Sequence, residues 1–329
     1  ESTMDKVTYC PCHSGKDYST CCQLFHKGKL PTTALELMRS RYAAYALNLP
    51  EYIIQTTHPA SPQFLENTDQ WLQQISQFSL HTEFKDLEII ATQEALPFAT
   101  VTFIAHLLQD KKNVSFTEKS YFEKINNRWF YFKGHVPQEL SSEKPSSTPL
   151  NILPLAYYGD AILRKVAAPI PNITEEIRHL VEQMIATMDA SSGIGLAASQ
   201  VHHPLRLFVI RKPQECSQEK MSLGPVKVFI NPKISLPSKE KCILSEGCLS
   251  IPTIYSPVER AKEITVEYSD LEGNILTERV SGWEARVILH ENDHLNGVLF
   301  IDHLDKNTRK SIEPSLQNLS NRISSVFHS

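Results

Sequence analysis

Two stretches in the first third of the chain carry apolar side chains at helical spacing. In residues 33–56 and in Thr68–Phe78 the apolar positions return every three to four residues, which predicts amphipathic helices. The pattern then changes to runs rich in β-branched and aromatic residues, and Asn126-Asn127 between the last two predicts a hairpin turn. Helices followed by antiparallel strands predict an α+β unit. The strand-like runs are 99–105, 119–125 and 128–132.

The second half of the chain repeats this combination. Thr174 can cap a helix that starts at Glu175, because its hydroxyl can accept a hydrogen bond from a free N–H of the first turn. Asp270–Asn274 has the composition of a turn, and a final helix is predicted from about Gly282 to Leu295. We therefore expect a second α+β unit of mostly antiparallel strands. Its strand-like runs are 205–210, 226–230, 263–268 and 275–280.

The composition of the chain changes once, between Pro137 and Pro149, where proline and serine dominate. Such a stretch predicts a linker between two segments of ordinary domain size. The 329 residues are 41% apolar and 21% charged, which is typical of a globular protein. Lysine and arginine number 33 against 37 acidic residues, and neither half is strongly basic. We therefore expect no direct DNA binding.

The sequence also bears on the cellular compartment. No apolar run approaches the ~18 residues that a membrane span needs, so no membrane partner is expected. The start lacks the basic and apolar regions of a secretory signal, and we expect Met4 to be the native start and Glu1–Thr3 to be left over from cloning. Of seven cysteines, four crowd together near the start. Clustered thiols without an export signal predict a cytoplasmic protein with metal-bound cysteines.

The segment His290–His294 reads His-Glu-Asn-Asp-His. On a helix its two histidines share one face and can bind one metal ion, with the glutamate near enough to handle protons. The alternative is a chance spacing of two surface histidines. A catalytic ion needs a third protein ligand, and the candidates are His303 and Asp305 downstream or Cys248 upstream. A lone cysteine is otherwise usually a small buried apolar residue.

A third segment, Gly193–Gln200, is rich in small residues that let the backbone approach a ligand closely. The amide of Gln200 can donate a hydrogen bond to a developing oxyanion. Taken alone, the segment favours a plainer interpretation, a loop followed by a packed helix of small residues.

Together, Gly193–Gln200, Glu246–Ser250 and His290–His294, in this order, closely resemble the motifs of peptide deformylase. The resemblance covers about residues 151–310. It implies mostly antiparallel strands around a central helix that carries the His-Glu-x-x-His motif. It also implies an enzyme that removes the formyl group from the N-terminal formyl-methionine of nascent chains and releases formate.

The resemblance assigns roles residue by residue. Cys248, His290 and His294 would hold an iron(II) ion, which zinc, nickel or cobalt can replace. Glu291 would be the general base and then the general acid. Gln200 and the backbone N–H of Leu249 would form the oxyanion hole, and Gly193 and Gly195 would border the peptide-binding cleft. The segment Ile251–Tyr255 departs from the family, since it lacks an acidic and basic pair that some members carry.

Two alternatives stay open at this point. One is a metallopeptidase of the His-Glu-x-x-His type, which the context of Cys248 disfavours. The other is a zinc-dependent binding module with a decayed catalytic domain, against which the presence of every motif residue argues.

The cysteines near the start, Cys10, Cys12, Cys21 and Cys22, can close a tetrahedral zinc site. Ser14–Tyr18 between them resembles the SEC-C motif, with His13 where glycine is common. Residues 31–135 contain Leu37–Tyr45, Thr57–Pro59 and Arg128–Tyr131, and through these pieces they resemble small bacterial proteins in which this motif precedes a nuclear-transport-factor-two-like domain. We expect a zinc knuckle (1–30), a separate α+β domain (31–136), a linker (137–150) and a catalytic domain with a helical tail (151–329). A ribosome or protein partner is expected to bind through the N-terminal half.

Other chemically reactive residues have plainer interpretations. Cys216 and Cys242 are expected to be plain thiols. Arg39, Arg41 and His58 are candidates for the lining of a pocket, although structural or solvated roles are favoured. Apolar positions in the tail predict a helix packed on the catalytic domain, with a partner helix as the alternative. These positions are Ile312, Leu316, Leu319, Ile323 and Phe327.

Overall fold

The computed structural model describes residues 8–137, 150–216 and 220–329, without the side chains of residues 215, 216, 220 and 221. Most of the predicted linker, residues 1–3 and the Cys216 thiol therefore lie outside the described part. The chain divides into two compact units, Glu1–Leu150 with Arg322–Ser329, and Asn151–Asn321. Among the described residues no helix is both long enough and apolar enough to cross a membrane.

In the described part of the first unit, a short 3₁₀ turn, Tyr18–Thr20, is followed by four helices. The range 33–56 is largely helical, as its spacing predicts, but it contains two helices separated by a break. Asn48 adopts a left-handed conformation with φ of +56°, and Pro50 opens the next helix. Proline suits a first helical turn but cannot continue a preceding helix. The helices are α1 (Cys22–His26), α2 (Ala34–Ala46), α3 (Pro50–Gln55) and α4 (Thr68–Leu80).

Five antiparallel strands follow within residues 83–135 of the first unit. They are β1 (Glu83–Ala95), β2 (Phe98–Gln109), β3 (Lys112–Asn113), β4 (Phe116–Ile125) and β5 (Arg128–His135). Their order is β1-β2-β4-β5, with β3 paired to β2. The hairpin at Asn126-Asn127 is confirmed, because both residues have positive φ and Ile125 pairs with Arg128. Leu37 and Met38 of α2 join Phe122 and Trp129 in the core of this unit.

The second unit contains α5 (Glu175–Ala190) and α6 (Gly282–Leu295), with 3₁₀ turns at Ala161–Arg164, Ala198–Val201 and Phe300–His303. The predicted cap is confirmed, since the Thr174 hydroxyl accepts a hydrogen bond from the Ile177 N–H. The tail forms a helix as its spacing predicts, α7 (Lys306–Phe327), in which Leu316 and Leu319 are buried. Residues of α7 from Arg322 onward are grouped with the first unit.

The second unit is built on antiparallel pairs throughout its described strands. The strands are β6 (Gly195–Ala197), β7 (Leu207–Cys216), β8 (Lys220–Ser235), β9 (Lys241–Cys248), β10 (Ile251–Ala261), β11 (Glu263–Ser269) and β12 (Ile275–Ser281). A five-stranded sheet has the order β12-β11-β8-β7-β6, and β9 pairs with β10 separately. Ala285 and Ile288 of α6 pack with Phe208, Phe229 and Ile264 of the sheet. The expectation of an α+β fold with antiparallel sheets is confirmed.

Candidate active site

Helix α6 carries three of the candidate site residues. Because it packs one face against the sheet, its C-terminal half presents His290 and His294 one turn apart, with Glu291 beside them. His294 is 1% exposed and the His290 side chain is 11% exposed, so both imidazoles lie largely out of water. This setting contradicts the alternative of two solvated surface histidines.

Cys248 approaches these histidines from another element. It is the last residue of β9 and pairs with Ile251 across the tight turn into β10. Its Sγ atom lies 3.4 Å from Nε2 of His294, and the ligand atoms of Cys248, His290 and His294 all lie within 4.8 Å of one another. A tetrahedral ion with metal–sulfur and metal–nitrogen distances near 2.3 and 2.05 Å would separate such atoms by about 3.6 Å. The three residues therefore fit one metal ion.

The downstream alternatives for a third ligand do not join this group. The imidazole of His303 lies 2.7 Å from the Asp293 carboxylate, and Asp305 accepts a hydrogen bond from the Thr308 N–H at the start of α7. Both residues have other partners, and neither belongs to the group of possible ligands that Cys248 forms with the two histidines.

Glu291 is 4% exposed, and the Oε2 atom of its carboxyl has no hydrogen-bond partner among the described residues. Burial raises the pKa of Glu291 to about 7. A Cβ atom on Gly195 would lie 2.6 Å from Glu291 Oε1, so the glycine lets the strand β6 approach the carboxyl this closely. Glu291 thus offers a buried oxygen that can take up a proton near neutral pH.

Gln200 is 1% exposed and held in one orientation. Its Oε1 accepts a hydrogen bond from the Ala197 N–H at 2.9 Å, which turns Nε2 toward Cys248 Sγ at 3.5 Å and Ser250 Oγ at 3.1 Å. The interpretation of this segment as a loop and a packed helix was wrong. Residues 195–197 instead pair with β7 as β6, and a short 3₁₀ turn carries Gln200.

Leu249 follows Cys248 in the turn between β9 and β10. A Cβ atom on Gly193 would lie 2.8 Å from its Cδ1 atom, so Gly193 and Leu249 are in close contact. The segments around Gly193, Cys248 and His290 are far apart in the chain and meet here at one point of the second unit.

The second half of the chain is similar in sequence to proteins of one known family. The sequence pattern of the polypeptide deformylase family matches residues 152–310. The chain is 45% identical over 163 residues to a peptide deformylase of Rhizobium meliloti, covering 50% of this chain and 91% of the relative. It is 44% identical over 155 residues to a peptide deformylase of Psychrobacter arcticus, covering 47% of this chain and 80% of the relative. A crystal structure of peptide deformylase from Ehrlichia chaffeensis, 35% identical, superimposes with a TM-score of 0.48, covering 53% of this chain and 99% of that one.

The chain belongs to the peptide deformylase family. It is an enzyme that removes the formyl group from an N-terminal methionine. This membership favours deformylation over the metallopeptidase alternative. The first unit matches a different family pattern, the middle nuclear-transport-factor-two-like domain of YchJ, over residues 33–134, as the resemblance implied.

A buried ion-pair network lies behind the deformylase histidines, and sequence reasoning missed it. Glu246, 6% exposed, accepts hydrogen bonds from Arg260 at 2.7 and 2.8 Å and from Arg286 at 2.5 Å. It also accepts one from Nδ1 of His290 at 2.9 Å, which leaves Nε2 of His290 available for the ion. Arg260 further contacts Asp293 at 2.8 Å.

The charges of this network set the protonation of Glu246. Burial alone would raise the pKa of Glu246, but the hydrogen bonds from Arg260 and His290 outweigh it and hold the pKa well below its usual range. Glu246 belongs to a motif that the sequence shows, whereas nothing in the sequence distinguishes Arg260 and Arg286 from surface arginines. They could have been found only by knowing that β9, β10 and α6 meet.

The cysteines near the start form a second candidate metal site, in the first unit of the deformylase. The sulfur atoms of Cys10, Cys12, Cys21 and Cys22 lie within 4.8 Å of one another, with 3.6 Å between Cys12 and Cys21 and 3.9 Å between Cys21 and Cys22. A tetrahedral zinc ion with Zn–S distances near 2.3 Å needs sulfur atoms about 3.8 Å apart. The four thiols therefore fit zinc. Cys242 does not belong to either group of possible metal ligands in the described part of the chain.

Proposed function

We propose that Cys248, His290 and His294 hold a single iron(II) ion, which zinc, nickel or cobalt can replace, with α6 as the central helix of the site. The observation that carries the proposal is the approach of the three ligand atoms to within 4.8 Å of one another. When bound, the ion would act as a Lewis acid that polarises the formyl group and would lower the pKa of water to near neutrality. The remaining steps belong to side chains of the chain itself.

We assign the proton transfers to Glu291. Its free Oε2 takes a proton from the water that attacks the formyl carbon, and it later gives the proton to the amine that leaves when the C–N bond breaks. The buried position of Glu291 beside the ligand group suits both roles, because a carboxyl can accept and return a proton there. The products are formate and a peptide with a free N-terminal methionine.

The oxyanion that forms on the formyl oxygen needs hydrogen-bond donors directed at it. We assign these to Nε2 of Gln200, which the Ala197 N–H orients, and to the backbone N–H of Leu249. No acceptor for the Leu249 N–H is found within the described ranges. Gly193 and Gly195 would border the cleft for the peptide, since any side chain on either would meet Leu249 or Glu291.

Formate release tests this assignment. The full chain should release formate from a formyl-methionyl peptide and leave internal peptide bonds intact. Cys248→Ala should lose both the ion and the activity, since two ligands hold an ion poorly. Cys242→Ala is the matched control, because its free thiol lies on the same strand but outside the ligand group, and it should keep both. Internal cleavage, or full activity of Cys248→Ala, would contradict the proposal.

We propose that the four cysteines near the start hold a zinc ion as a structural knuckle. Apart from the cysteines, the hydrophobic cluster at this site contains Ala43 and the partly buried Tyr18. So small a cluster needs its ion to stay folded. Replacing Cys21 and Cys22 together by alanine should remove one zinc and unfold residues 9–30. Turnover of a short formyl peptide should persist, because the deformylase site lies in the other compact unit.

Metal content and short-peptide kinetics measure the two effects of that double variant separately. A loss of turnover while the second unit stays folded would show that the N-terminal unit completes the active site. We further propose that this unit positions the deformylase on the ribosome or the emerging chain in the cytoplasm, by analogy with other SEC-C modules. Co-sedimentation with ribosomes should then fall in the double variant.

A further inference from the structure

The first unit contains a cavity that deformylation does not use. It has a volume of about 410 Å³ and is enclosed by α2, α4 and the inner face of the β1–β5 sheet. Every residue that lines it lies between Met38 and Tyr131, so it belongs to the first unit alone. This volume falls within the range of sites for small organic molecules.

Aromatic rings form half of the cavity wall, nine of eighteen lining residues. Trp71 and Phe78 come from α4, and Phe103 comes from β2. Phe116, 38% exposed, and the exposed Gln74 mark the side that solvent can reach. Such a wall favours an apolar or aromatic ligand and also attracts a cation to the faces of its rings.

One carboxylate interrupts this apolar wall. Glu118 accepts a hydrogen bond from the buried Ser120 hydroxyl at 2.6 Å, and its carboxyl packs against Gly134, where no side chain would fit. No lysine, arginine or histidine in the described ranges forms an ion pair with it. Burial raises the pKa of Glu118, while the Ser120 hydrogen bond and the charge of Arg41 oppose the rise. The carboxylate therefore lacks a direct counter-ion.

The other charged group of the wall, Arg41, already has its partners. Its Nη1 atom donates hydrogen bonds to the Ile53 carbonyl at 2.9 Å and to the Thr56 hydroxyl at 2.7 Å. Its guanidinium lies 4.4 Å above the Tyr131 ring. Nη1 of Arg41 is thus bound within the fold, whereas Glu118 has no ion-pair partner among the described residues, so the cavity offers a ligand an acceptor in Glu118.

We propose that this cavity binds a small primary amine with an apolar or aromatic body. The ammonium group supplies the counter-ion of Glu118 through a charge-assisted hydrogen bond, and the body of the ligand packs among the rings. The cavity lies in the first unit and the proposed deformylase site in the second, so this proposal does not depend on the proposed mechanism.

Calorimetric titration of the full chain with three matched ligands tests the proposal. 2-Phenylethylamine should bind more tightly than the neutral 2-phenylethanol by at least about tenfold, and the anionic 3-phenylpropionate should bind most weakly. Glu118→Gln should remove the preference for the amine and leave the affinity for the alcohol unchanged. Because Trp71 lines the cavity, the amine should change tryptophan fluorescence, and Trp71→Phe should abolish that change.

Formate release by Glu118→Gln should equal that of the unsubstituted chain, which verifies that the second unit is intact. If Glu118→Gln fails to fold, the relative affinities of the unsubstituted chain for the three ligands still test the proposal. Equal binding of amine and alcohol, stronger binding of the carboxylate, or no amine binding at millimolar concentration would each overturn the proposal.

Discussion

Glu291→Gln should turn over a formyl-methionyl peptide about 10²–10⁴-fold more slowly and still bind one equivalent of the catalytic metal. Glutamine keeps the size and the polarity of the side chain in a position that is 4% exposed, so the packing against Gly195 should survive. It cannot take a proton from water or return one to the amine. The three ligand residues are unchanged. Metal content and formate release, measured on the same preparation, separate the two effects.

The matched control is Glu284→Gln on the same helix. The Glu284 carboxylate lies 2.7 Å from Nζ of Lys227 and is not part of the ligand group. Its loss should leave turnover within a few-fold of the starting value. A Glu291→Gln protein without metal would make Glu291 a ligand, and one with full activity would remove it from the mechanism. Either result would refute the proton-transfer role.

Local features of this chain could be predicted from the sequence because their causes are local. Two asparagines in positive φ make a tight hairpin turn, and a threonine before two glutamates caps a helix. The break between α2 and α3 was missed because the helical spacing continues across it. The break lies at Asn48, whose positive φ ends the helical geometry after α2. Leu49 is then the N-cap residue of α3, which begins at Pro50.

The active site illustrates the limit of local reasoning. His290 and His294 are brought together by one helix, and their pairing follows from the spacing. The approach of Cys248 depends on β9 and β10, and neither strand was predicted from the sequence. The place of Cys248 in the ligand group could be inferred only from resemblance to a family. The contact of Gly195 with Glu291 likewise joins two segments that are distant in sequence.

The ion-pair network around Glu246 yields the second large expected effect. Glu246→Ala should destabilise the second unit by about 3–5 kcal/mol, because it leaves the buried Arg260 and Arg286 guanidiniums without their shared carboxylate. It also removes the acceptor for Nδ1 of His290, and loss of such a partner usually lowers metal affinity by about 10–100-fold. Thermal unfolding of the metal-free protein and metal titration measure the two losses independently.

Glu259→Ala provides the matched control for that experiment, because Glu259 is an exposed residue of β10 next to Arg260. Its effect on unfolding should stay within about 0.5 kcal/mol, as for most surface substitutions. Glu246→Gln should fall between the two alanine variants in stability, since its amide oxygen can accept one arginine hydrogen bond but cannot balance the charge. If Glu246→Ala unfolded at the same temperature as Glu259→Ala, solvent would have to reach Arg260 and Arg286. The buried network would then not stabilise the second unit.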